Sequence, residues 1–182
     1  MWRGPTPAPV QAPPATGFDE AWVEDWLITD RGLVGLGNAG TSFADLGQGR
    51  HYADGHRAAM RVARPGIREY ELQADLERVF RANDAWPAYN SIVGAGRNAC
   101  VLHYRANTAQ ARDGELVLID AGAEYRGYAA DITRTFPVNG RFTPAQRALH
   151  DLVGDAQRAA LDCARVGVPY EAGHVAGVAT PT

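Results

Sequence analysis

One short stretch constrains this chain more than any other: an apolar run that ends in an acid, a polar turn, and a second run that carries another acid. The run Leu116-Val117-Leu118-Ile119 leads into Asp120-Ala121-Gly122. Glu124-Tyr125-Arg126-Gly127 follows as a turn, and Tyr128-Ala129-Ala130-Asp131-Ile132-Thr133 leaves it. The pattern reads as a β-hairpin. Centring the turn on Tyr125-Arg126 sets Asp120 directly opposite Asp131, with Cβ atoms about 4.5–5.5 Å apart on one sheet face.

Two carboxylates at that distance repel each other. A shared proton, a basic partner or a divalent cation would offset the repulsion. Carboxylate oxygens are ligands that Mn²⁺, Mg²⁺ and Zn²⁺ accept, and paired metals roughly 3.5–4 Å apart form a common hydrolytic clamp. The small neighbours Ala121, Gly122, Ala129 and Ala130 leave room beside the acids. On spacing alone, a metal pair and two unrelated surface acids flanking a turn both remain open.

The rest of the chain supplies helices and further strands. Residues 52–63 read as a helix that Pro65-Gly66 ends. A second helix over 68–82 places Leu72, Leu76, Val79 and Phe80 on one stripe. Strand-like segments cover 90–93, 100–103, 116–120 and 128–136. A last long helix opens with Thr143 as cap, Pro144 in its first turn and Gln146 completing a capping box, and Gly167 and Pro169 stop it. Helices, then paired strands, then a helix argue an α+β fold.

Residues 1–48 form a leader whose structure the pattern does not assign, with five of the eleven prolines between positions 5 and 14. Residues 49–182 form the domain proper. The net charge of −3 gives no electrostatic pull toward nucleic acid or anionic membrane. No run approaches the roughly 20 apolar residues that span a bilayer, and the N-terminus has no secretory apolar core. Cys100 and Cys163 sit in unrelated contexts and read as reduced, buried thiols, so the cytoplasm is the expected compartment.

His103 ends the apolar run Val101-Leu102-His103 and reads either as a structural residue or as a catalytic one. His51 and His56 stand five apart, off the spacing of a helical metal pair. His150 falls inside the last long helix, and His174 lies in the tail.

Several runs together carry a family resemblance: Tyr89-Asn90-Ser91-Ile92-Val93-Gly94, Leu102-His103-Tyr104, Asp113-Gly114-Glu115-Leu116-Val117-Leu118-Ile119-Asp120-Ala121-Gly122, and Tyr128-Ala129-Ala130-Asp131-Ile132-Thr133-Arg134-Thr135-Phe136-Pro137-Val138-Asn139-Gly140. Between about Gly49 and Gly167 the chain resembles Xaa-Pro aminopeptidases (aminopeptidase P), pita-bread metallopeptidases related to prolidase and methionine aminopeptidase. The resemblance implies a curved antiparallel sheet with flanking helices, built from two similar halves, of which this chain matches the first. It implies two divalent metal ions, Mn²⁺ foremost with Zn²⁺ or Co²⁺ as alternatives, held by two aspartates, one histidine and two glutamates. By resemblance the aspartates are Asp120 and Asp131, the latter bridging, and His103 is the histidine that contacts substrate and steadies the reacting carbonyl.

The implied substrates are peptides with proline in second position, and the implied partners are neither nucleic acid nor membrane, with a homo-oligomer compatible. The histidine ligand and both glutamates would fall beyond Thr182, and His174 does not match the family histidine. The expectation is therefore a truncated, inactive fragment that tends to self-associate. Prolidase is the rival enzyme, and a non-catalytic pita-bread binding module is the reading of another class.

Overall fold

A computed structural model describes residues 49–180 of the chain, so the leader 1–48 lies outside the described residues. Among the described residues two helices come first: α1, Gly49–Val62, and α2, Glu69–Ala82. Leu72, Leu76 and Phe80 are the fully buried part of the α2 stripe, packed with Ala53, Ala59 and Met60 of α1. Arg68 N–H donates to the Glu71 side chain at 2.8 Å and so secures the start of α2.

Six short strands follow: β1 (Trp86–Pro87), β2 (Ile92–Ala95), β3 (Leu116–Ala121), β4 (Ala123–Tyr125), β5 (Tyr128–Ala129) and β6 (Ile132–Pro137). All pairings are antiparallel. They form two three-stranded sheets, β1-β4-β5 and β2-β3-β6. Central β3 alternates: Val117, Ile119 and Ala121 are buried in the core, while Leu116, Leu118 and Asp120 are only half-buried on the other face. That alternation keeps Asp120 off the apolar side. The α+β class holds.

Four local expectations change. The run at 100–103 is no strand. A 3₁₀ turn spans Gly96–Cys100, and a tight turn closed by Tyr104 N–H to the Val101 carbonyl at 3.2 Å follows it. The segment 128–136 is not continuous, because it breaks between Ala129 and Ile132. The strand expected at 90–93 runs two residues later, as β2. Among the described residues both cysteines are free, but Cys100 is exposed and Cys163 half-buried rather than sequestered.

The described chain divides into two compact units between Gly140 and Arg141. The second unit contains α3 (Pro144–Cys163) and α4 (Glu171–Val178). Thr143 caps α3 as the sequence indicates: its Oγ accepts from Gln146 N–H at 3.3 Å, and its own N–H donates to the Gln146 side chain at 2.9 Å. Ala156 and Ala160 pack on Gly173 and Gly177 of α4, so the helices approach through small residues. Among the described residues no helix is long and apolar enough to cross a membrane.

Candidate metal centre

The hairpin turns one residue later than its sequence suggests. Arg126 and Gly127 both adopt positive φ, +52° and +86°. A two-residue hairpin turn of this hand needs positive φ at both central positions, and glycine supplies one without strain. Glu124 helps by accepting the Gly127 N–H at 2.5 Å. Tyr125 therefore faces Tyr128, and the same register sets Asp120 opposite Thr133 and Ala121 opposite Ile132. Asp120 does not face Asp131 directly.

Moving the turn by one residue shifts each partner by two, and side chains repeat every two residues along a strand. Asp131 therefore lies diagonal to Asp120 and not across from it. Diagonal neighbours on one face remain within reach of polar side chains. The chain also bends here. Ala130 and Asp131 belong to no strand, and Ala130 N–H bonds to the Ala123 carbonyl at 2.9 Å.

What joins the two acids is Tyr89, a residue that composition and spacing leave unremarked. The backbone beside it is fixed by Ala88 N–H bonding to the Gly122 carbonyl at 2.9 Å. The Tyr89 phenol lies 2.6 Å from Asp120 Oδ1 and 3.0 Å from Asp131 Oδ1. Burial raises its pKa well above the usual tyrosine value, and the hydrogen bonds and charges of Asp120 and Asp131 raise it further. It stays a neutral donor at any ordinary pH.

A phenol has one hydrogen to give. Two carboxylates share it, and among the described residues neither acid has a Lys, Arg or His within ion-pair distance. The negative charge on the pair is thus incompletely met by the chain. Hard carboxylate oxygens converging on one point suit a divalent cation in kind. They fall short of a full shell, because among the described residues no three His, Cys, Asp or Glu side chains converge.

His103 occupies the tight turn after the 3₁₀ segment, at φ +51°, and is exposed. No hydrogen bond joins it to either carboxylate. It is two residues from Arg105, which with Asn107, Gln73, Glu77, Ser91 and Tyr89 lines a cavity of about 400 Å³. The loop after His103 and the tyrosine that binds both acids are therefore walls of one cavity. His56, set aside on spacing, is fully buried in α1, and its Nε2 bonds to the carbonyl of Ala121, next to Asp120, at 3.0 Å. His174 lies in α4 of the second unit.

The fold and the acid pair are similar to those of solved aminopeptidase P structures. The Pseudomonas aeruginosa aminopeptidase PepP structure matches with a TM-score of 0.70 at 54% identity, over 71% of this chain and 29% of that one. A variant of Escherichia coli aminopeptidase P solved with substrate matches at 0.62 and 50%, over 64% and 27%. Residues 48–180 match metallopeptidase family M24, and the chain belongs to that family.

Among curated proteins, the Xaa-Pro aminopeptidase of Haemophilus influenzae is 50% identical over 151 residues, 81% of this chain and 34% of that protein. That of Escherichia coli K12 is 52% identical over 113 residues, 62% and 26%. The chain thus spans about a quarter to a third of the length of the relatives it matches.

Proposed function

We propose that this chain carries the aspartate part of the metal centre of an Xaa-Pro aminopeptidase, with Asp120 and Asp131 as ligands and His103 as the substrate-contacting histidine. The observation that carries the reading is the shared Tyr89 hydroxyl, which draws two otherwise unpaired carboxylates to one point. Names of the matched relatives support Xaa-Pro aminopeptidase over prolidase and over a binding module without metal.

Within this proposal Asp120, rooted in the central strand, fixes one coordinate of the site. Asp131, on the bent segment, closes toward it, and Tyr89 orients both carboxylates by a hydrogen bond to each. Asp120 and Asp131 would hold a pair of divalent ions, Mn²⁺ by preference, which would supply Lewis acidity for hydrolysis of the bond before proline. The cavity beside Tyr89 receives the peptide, and His103 meets it from the loop. With two carboxylates of an expected five-ligand set, the chain by itself holds the cation weakly and has little peptidase activity.

The test is Mn²⁺ binding to the purified chain by calorimetry, together with release of the N-terminal residue from an Xaa-Pro peptide. Saturable binding that Asp131→Ala abolishes supports the proposal, and indifference to that substitution sinks it. Rapid hydrolysis by the chain alone would overturn the ligand-count argument.

A further inference from the structure

Glu69, the first residue of α2, is fully buried, yet it is an acid at a position where a surface residue would serve the helix as well. Its carboxylate turns inward and accepts four hydrogen bonds. Oε1 takes Ala95 N–H and Asn98 Nδ2, and Oε2 takes the Tyr104 hydroxyl and Ala109 N–H, each at 2.9 Å. Its own N–H donates to the Ala109 carbonyl at 3.0 Å. One side chain thus grips both ends of the loop between β2 and Ala109. The Tyr104 hydroxyl is tied further by Asn98 Nδ2 at 3.0 Å. One turn along α2, Gln73 accepts from Asn107 and fastens the loop a second time.

His103 sits inside that grip, one residue before Tyr104, in a left-handed conformation that costs a non-glycine residue energy. The same loop supplies Arg105 and Asn107 to the cavity that Tyr89 also lines. We infer that Glu69 is a positioning residue for the metal centre: its carboxylate sets the loop that carries His103 against the cavity beside Asp120 and Asp131. The inference rests on the function proposed above and adds to it the group that holds the histidine in place. All four donors require acceptors, and a carboxylate offers them at both oxygens. A glutamine would turn two of those acceptor contacts into donor facing donor.

The test uses the 182-residue chain with Mn²⁺ as a paramagnetic probe, in wild type, Glu69→Gln and Tyr104→Phe. Ring signals of Tyr89 report the carboxylate pair, and those of His103 report the loop. In the wild type, Mn²⁺ broadens both. Glu69→Gln removes the broadening at His103 and retains it at Tyr89, a selective loss that a purely structural role would not produce. Tyr104→Phe, which deletes one bond of the four, reduces it in part and decides the matter where the glutamine variant fails to fold. Wild-type His103 signals that Mn²⁺ leaves sharp, or variants with wild-type broadening at His103, overturn the inference alone. Tyr89 signals left sharp in the wild type overturn the metal-centre reading itself, and the inference falls with it.

Discussion

The carbonyl oxygen of Ala130 occupies the place where a side chain on Gly122 would begin: a Cβ at 122 would come 1.7 Å from that oxygen and 2.4 Å from its carbon. Both contacts are to backbone, so no rotamer change relieves them. The close approach is what folds the segment bearing Asp131 over the end of β3. Gly122→Ala must push that segment away. The expected cost is about 3 kcal/mol, the upper range for overpacking, with Mn²⁺ affinity lost in step. Thermal unfolding and a Mn²⁺ titration check it, and a variant with unchanged affinity would show that Asp131 is placed by something else.

Tyr89→Phe removes the shared donor and leaves two carboxylates to face each other. Without cation, the loss should be about 1.5–3 kcal/mol, the range for hydrogen bonds to charged groups. With Mn²⁺ present the loss should shrink, because the cation offsets the repulsion that the phenol had relieved. Unfolding of both proteins with and without Mn²⁺ measures this difference, and equal losses in the two conditions would count against a cation at the pair.

Asp120→Asn and Asp131→Asn keep the shape of each side chain and remove its charge. Each should weaken Mn²⁺ binding by more than tenfold, which corresponds to about 1.4 kcal/mol. The double variant should do little further harm, since either loss already breaks the pair. Calorimetry resolves the series. Single variants that bind as the wild type does would place the cation elsewhere.

How far the sequence shows all this depends on whether the determining contacts are local. The helices are legible because their stripes and caps are local: Leu72, Leu76 and Phe80 are buried as the spacing implies, and Thr143 and Gln146 form the expected box. The acid pair is legible as to face but not as to partner. Strand periodicity survives a shift of the turn by one residue, whereas direct opposition does not. The signal for the correct turn was Gly127, the one residue there that accepts positive φ at no cost. The run Cys100-Val101-Leu102-His103 has a strand's apolar character, yet Val101 and Leu102 are exposed and the loop is held by Glu69, more than thirty positions away. No local pattern announces a buried acid at a helix start, nor a tyrosine that bridges two aspartates from another strand's approach.

His56 gives the fold a defined response to acid. Burial is the main cause of its pKa falling from 6.5 to about 4; the bond to Ala121 opposes this and Arg134 adds to it. Above about pH 6.5 the histidine is neutral folded and unfolded, and its contribution is fully present. Between about 6.5 and 4 the unfolded chain takes up a proton that the folded chain refuses, so stability falls as pH drops. At pH 5 the loss should be about 2 kcal/mol relative to pH 7. His56→Gln keeps a donor and removes the titration, so its stability should fall less by that amount over the same interval. Parallel stability profiles for the two proteins would rule out His56 as the source.

The second unit displays its large apolar side chains outward. In α3, Leu149 and Val153 are 59% and 61% exposed, and in α4, Val175 and Val178 are 62% and 73% exposed. The cause is the way the pair packs. Ala156 and Ala160 against Gly173 and Gly177 consume the small-residue faces, and among the described residues α3 and α4 bury no residue fully. Large apolar side chains left exposed in this number promote association. The chain should therefore show concentration-dependent self-association in sedimentation experiments. Leu149→Lys combined with Val153→Glu should reduce it, while the unfolding free energy of the monomer stays within about 0.5 kcal/mol, as for other exposed substitutions. A wild-type chain that sediments as a monomer at every concentration would refute the association. Association unchanged in the double variant would move its cause to another surface.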